Sequence, residues 1–67
     1  MKFRLNNNDE QYEGETLSVT GLLAFKNYTF KMLIVKINGN IVKREDYPAT
    51  MVHEGDEVFV LHLMSGG

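Results

Sequence analysis

Four features of this chain carry residue types that could do chemistry: Gly66-Gly67, His53 with Glu54 and Asp56, His62, and Ser65. Gly66-Gly67 closes the sequence. Two residues without side chains make a thin thread that follows whatever backbone path a narrow slot dictates. Such a thread carries one reactive group, the α-carboxylate of Gly67. With a pKa of about 3.5 it is ionised at neutral pH and is an oxygen nucleophile at the end of a flexible arm. With glycine at about 7 % of residues, a closing Gly-Gly arises by chance in roughly 1 chain in 200. The tail therefore gains meaning only from the body behind it, and a frayed end is the plainer alternative.

The other candidates are weaker. His53 beside Glu54 and Asp56 suggests metal binding or acid–base work, since imidazole serves in both. No third-ligand spacing accompanies them, and solvated turn residues are the better account, so no metal site is expected. His62 shares strand parity with Val58 and Val60 and reads as a partly covered structural histidine. Ser65 has no base placed to activate it and reads as a small spacer. The chain has no Cys, which excludes disulfides, cysteine zinc sites and a cysteine nucleophile. The absence of staples fits a reducing cytoplasm.

Length sets the scale. Sixty-seven residues make one domain, 1–67, with a flexible tail over 64–67. A domain of this size buries only about 60 % of the surface its unfolded chain exposes, leaving no room for a large cleft. The net charge of −2, with acids and bases mixed, argues against nucleic acid, which needs a basic stripe. Apolar runs such as Met32-Leu33-Ile34-Val35 are far too short to span a bilayer. Met1-Lys2-Phe3-Arg4-Leu5 lacks the apolar stretch of a signal peptide, so a cytoplasmic location is expected.

These residues need elements to position them. Met1 to Leu5 alternates apolar and basic, as a half-buried strand does. Asn6-Asn7-Asn8-Asp9 is a turn cluster, because Asn and Asp tolerate left-handed backbone. A short strand over Glu10 to Glu13 completes a hairpin. Leu17, Val19, Leu22 and Leu23 then fall near helical spacing, with Ser18 as N-cap, which predicts a helix over Val19 to Lys26. Gly21 weakens that helix by about 1 kcal/mol relative to Ala, or lets it approach the sheet closely. Met32 to Ile37 is a strand leading into Asn38-Gly39, a strong hairpin signal, and Asn40 to Val42 returns. Lys43 to Met51 is polar and irregular, and Tyr47-Pro48 excludes a central strand there. Glu54-Gly55-Asp56 is a tight turn before the last strand, Glu57 to Met64. The simplest architecture is α+β: a small mixed sheet packed on one short helix, with the first and last strands adjacent, central and parallel.

Both parities of the last strand are apolar. Leu33, Val35, Ile37, Val58 and Val60 are assigned inward. Ile34, Phe59 and Leu61 then form an exposed apolar patch rimmed by Lys2, Arg4 and Lys36. A sheet covered on one side only should be polar on the other, so the patch reads as a docking face for partners. Leu63, Met64 and Ser65 extend it to where the tail leaves. The alternative is that Lys43 to Met51 folds over this face.

A helix-backed mixed sheet, a docking face and a Gly-Gly carboxylate together resemble the ThiS family of ubiquitin-like β-grasp sulfur carriers. The resemblance runs the length of the chain. It rests on Met1-Lys2-Phe3-Arg4-Leu5-Asn6, Leu22-Leu23, the hairpin Val35-Lys36-Ile37-Asn38-Gly39-Asn40-Ile41-Val42, the turn Glu54-Gly55-Asp56, and Gly66-Gly67. Gly21 and the aromatic-rich segment Phe25-Lys26-Asn27-Tyr28-Thr29-Phe30 depart from the pattern. The resemblance implies a protein co-substrate in thiamin biosynthesis rather than an enzyme, with no bound cofactor. A ThiF-like adenylyltransferase would use ATP to adenylate Gly67. A sulfur donor protein would convert the adenylate to a thiocarboxylate, and a ThiG-like thiazole synthase would receive the sulfur. Two other classes share features: a molybdopterin-type carrier or ubiquitin-like modifier has the same tail and fold, and a plain β-grasp interaction module has the fold alone.

Overall fold

Two tight turns set the registers of the sheet in the computed structural model, which describes residues 1–29 and 31–63. Asn6 and Asn7 join β1 (Lys2–Leu5) to β2 (Asn8–Gln11), with φ of 51° and 67°. Asn38 and Gly39 join β4 (Leu33–Ile37) to β5 (Asn40–Val42), with φ of 51° and 85°. Positive φ at both central residues matches the right-handed twist of paired strands, and Asn and Gly adopt it most readily. The first turn is tighter than the four-residue cluster suggests. Asn8 and Asp9 therefore enter the strand, and β2 starts before the expected Glu10 and ends before Glu13.

The helix α1 spans Val19–Phe25. Ser18 caps it, its hydroxyl accepting from the Gly21 amide at 2.9 Å. Asn27, at φ 58°, ends it, and the Tyr28 amide donates back to the Leu23 carbonyl at 2.8 Å. That left-handed stop leaves Lys26 just past the helix rather than inside it. A Cβ at Gly21 would lie 3.1 Å from Leu17 Cδ1 and 3.2 Å from the Ser18 hydroxyl. The close approach that Gly21 permits is thus to the cap and the strand before the helix, not to the main sheet. Lys26 reaches across to Glu10 on β2 at 2.6 Å. That hydrogen bond holds its ammonium above the ordinary lysine range, against an opposing desolvation.

The main sheet has the order β2-β1-β7-β4-β5, with β7 (Glu57–His62) at its centre. β7 runs parallel to β1, with Leu5 opposite Val58, and antiparallel to β4, with Val35 opposite Val60. Helix and sheet enclose a core of Phe3, Leu5, Leu17, Val19, Leu22, Val35, Tyr47, Val52, Val58 and Val60. A further feature departs from the sequence reading. Leu17–Ser18 (β3) and Met51–Val52 (β6) pair as a separate two-stranded sheet. The irregular segment between β5 and β6, with a 3₁₀ turn over Arg44–Asp46, is drawn against the helix N-terminus. The Val19 amide donates to Thr50 at 2.9 Å and the Thr20 amide to Tyr47 at 3.3 Å. These bonds satisfy amides that a helix start leaves without internal partners.

Candidate functional site

β7 presents alternate residues to the two faces of the sheet. Val58 and Val60 point into the core, at 0 % and 7 % exposure. Val35 on β4 is fully buried with them, and Leu33 and Ile37 pack against the core from the same parity. Phe59 and Leu61 point outward. In register beside them stand Lys36 and Ile34 of β4, and beyond Lys36 stands Ile41 of β5. The assignment of faces made from the alternation therefore holds.

The Lys43 to Met51 segment does not cover this outer face. It packs on the helix side, where Tyr47 joins the core. Leu61, Leu63, Met32 and Ile41 are consequently large apolar side chains in solvent, Ile41 at 67 % exposure. Leu63 continues the line of β7, its amide donating to the Met32 carbonyl at 2.9 Å. Ile41 and Met32 enlarge the patch beyond Ile34, Phe59 and Leu61. Ile41 was legible in principle: the two-residue Asn38-Gly39 turn places it opposite Lys36, hence outward. Among the rim residues Lys2 and Arg4 are exposed, and Arg4 faces Glu57 at 3.6 Å. Met64, Ser65, Gly66 and Gly67, the remaining expected site residues, lie outside the described residues.

Both ends of β7 are fixed by side chains that imitate backbone. Where β1 stops at Leu5, Asn6 turns into left-handed geometry and its carboxamide takes over the pairing. Asn6 Oδ1 accepts from the Val60 amide at 2.9 Å, and Asn6 Nδ2 donates to the Val60 carbonyl at 3.2 Å. At the other end Asp56 gathers two loops, accepting from the His53 amide at 2.8 Å and from Asn38 Nδ2 at 3.0 Å. Asn38 Oδ1 in turn accepts from the Glu57 amide at 2.9 Å. The Lys2 amide donates to Glu54 at 2.9 Å. The His53, Glu54 and Asp56 cluster thus serves as a structural clasp. Among the described residues no group of three His, Asp or Glu side chains is placed to hold a metal ion. His62 is more exposed than its parity suggests. It borders a surface pocket of about 160 Å³ with Asn6, Tyr28, Leu33 and Val60.

Replacing Asn6 by Ala tests the clasp nearest the tail. It removes two partly buried hydrogen bonds, each contributing about 1 kcal/mol net, and leaves alanine at positive φ. The expected loss is about 2 to 3 kcal/mol, seen as a fall of roughly 10 °C or more in melting temperature for a chain this size. A melting temperature unchanged in Asn6→Ala would show that the carboxamide does not secure β7.

The ThiS family model matches residues 3–67. A crystal structure of the thiamine biosynthesis protein ThiS from Geobacter metallireducens is 38 % identical to this chain, with 100 % of both chains covered and a TM-score of 0.86. An NMR solution structure of a thiamine biosynthesis protein from the same organism is also 38 % identical, covering 100 % of this chain and 88 % of that one at a TM-score of 0.76. No curated protein gave a match. The strand order, the parallel β1–β7 pair and the single short helix are those of the ubiquitin-like β-grasp. With the family match spanning nearly all of its residues and the fold shared end to end with a ThiS protein, this chain belongs to the ThiS family of small sulfur carriers.

Proposed function

We propose that this chain carries sulfur as a thiocarboxylate on Gly67 and delivers it for thiazole formation in thiamin biosynthesis. The observation that carries the reading is the continuity of β7. The central strand, apolar on both faces, runs from the core through Phe59 and Leu61 towards Gly66-Gly67. Docking surface and reactive end are therefore neighbours along the sequence. From Leu63, four extended residues reach at most about 14 Å, so a partner seated on the outer face must hold its reaction centre within that distance.

The chemistry follows from the terminus. A Gly67 carboxylate oxygen attacks the α-phosphorus of ATP, and pyrophosphate leaves. A sulfide equivalent from a donor protein adds to the acyl carbon, and AMP leaves. The remaining thiocarboxylate is the transferable sulfur. In this reading ATP belongs to the ThiF-like adenylyltransferase, the ThiG-like thiazole synthase is the acceptor, and the chain itself is a co-substrate without a bound cofactor. A cytoplasmic setting fits its Cys-free composition. No helix among the described residues is long and apolar enough to cross a membrane. A molybdopterin-type carrier or protein modifier would use the same tail. The thiamine biosynthesis proteins that share its fold support the thiazole reading over these, and over an interaction module that makes no use of its carboxylate.

Intact mass spectrometry of the protein purified from its own host tests the proposal. A population heavier by the exchange of one oxygen for sulfur is expected, and it should vanish in a variant lacking Gly67. Sulfur that persists after Gly67 is removed would place the carrier site elsewhere.

A further inference from the structure

Lys36 occupies the middle of the outer face. It is opposite Phe59 of β7 on one side and opposite Ile41 of β5 on the other, and Ile34 precedes it on the same face of β4. Its side chain is half-buried among these apolar neighbours. Arg4, on the same face, is met by Glu57. Lys26, on the far side of the molecule, is met by Glu10. Lys36 has no carboxylate partner and no side-chain hydrogen bond among the described residues.

That arrangement is stable only while the face is open. A partner that covers Ile34, Ile41, Phe59 and Leu61 also strips water from Lys36. An ammonium desolvated without a counter-charge strongly opposes association. Resting on the reading of this face as the docking surface, we infer that the adenylyltransferase presents a carboxylate to Lys36 Nζ, enclosed by an apolar ring that packs on the four surrounding side chains. The overall charge sharpens the point. A chain of net charge −2 is repelled by an acidic surface except where a cation leads it in. A single charge pair inside an apolar ring fixes orientation and rejects partners that lack the acid. Lys36 is thereby a specificity determinant of docking.

Pyrophosphate release by the adenylyltransferase from the same organism reads this out, with the chain as varied substrate at low and high salt. Lys36→Glu should raise KM at least about 30-fold through like-charge opposition, with kcat retained because the tail is untouched. Lys36→Met, which keeps the apolar stem, should raise KM less and should remove most of the salt dependence. Equal melting temperatures would confirm that both variants fold. If Lys36→Glu leaves KM unchanged, or Lys36→Met lowers it, no carboxylate faces Lys36. Phe59→Ala separates the two layers of the argument. A raised KM in Phe59→Ala with an unchanged KM in Lys36→Glu overturns the carboxylate alone, whereas unchanged KM in both overturns the docking face with it.

Discussion

Gly66→Val should leave the fold intact and slow adenylation of Gly67 by at least about 100-fold. The fold is unaffected because, among the described residues, the core runs from Phe3 to Val60. The chemistry is affected because a branched side chain restricts the backbone and widens a thread that must enter a narrow slot. A displacement of about 1 Å at a reacting atom is enough for a hundredfold loss. Deleting Gly67 should abolish the reaction, since the carboxylate then sits one residue short of the α-phosphate. Pyrophosphate release with the cognate adenylyltransferase measures both. Full turnover by a folded Gly66→Val protein would refute the thread-in-slot mechanism, and full turnover without Gly67 would refute the terminal carboxylate as the reactive group.

Adjacent residues of β7 should give opposite phenotypes. Val58 is fully buried, so Val58→Ala removes two methyl groups' worth of packing and opens a cavity. A loss of about 2 kcal/mol follows, or roughly 10 °C in melting temperature. Partner affinity of the protein that remains folded should be unchanged. Phe59→Ala truncates an aromatic at the centre of the outer face. It should change the melting temperature little and weaken partner binding by about 2 kcal/mol, close to 30-fold. Thermal melts and titration calorimetry on the two variants decide the matter. A Phe59→Ala protein that unfolds, beside a Val58→Ala protein of normal stability, would invert the two faces and remove the docking surface.

The parts of the fold that local chemistry controls were legible in the sequence. Asn38-Gly39 is a turn because of its own φ values, Ser18 is a cap because of its own hydroxyl, and the period of two along β7 divides Val58 and Val60 from Phe59 and Leu61. What escaped was non-local. Leu17–Ser18 and Met51–Val52 are each two residues long, too short for a period of two to show, and they are strands only because each meets the other. Tyr47 is a core residue inside a polar stretch beside Pro48. Nothing in its neighbours announces that the helix start needs the Tyr47 and Thr50 carbonyls as acceptors. The outer apolar patch was half legible: Phe59 and Leu61 followed from one strand, whereas Ile41 required the register of a second.

The place of β7 in the sheet has a consequence for how the chain acquires its structure as it leaves the ribosome. β7 is made last and sits in the middle, between β1 and β4. Until it emerges, β1–β2 and β4–β5 are two separate hairpins with no strand in common, and isolated hairpins are marginal in water. Joining β1 to β7 closes a loop of about 50 residues, a non-local step that comes late. Cooperative structure therefore waits on the strand that precedes the Gly66-Gly67 tail. A chain cut short before Val58 lacks its central strand and stays open to proteolysis. Closure of the sheet therefore depends on synthesis having passed β7, because no earlier strand can take its place between β1 and β4.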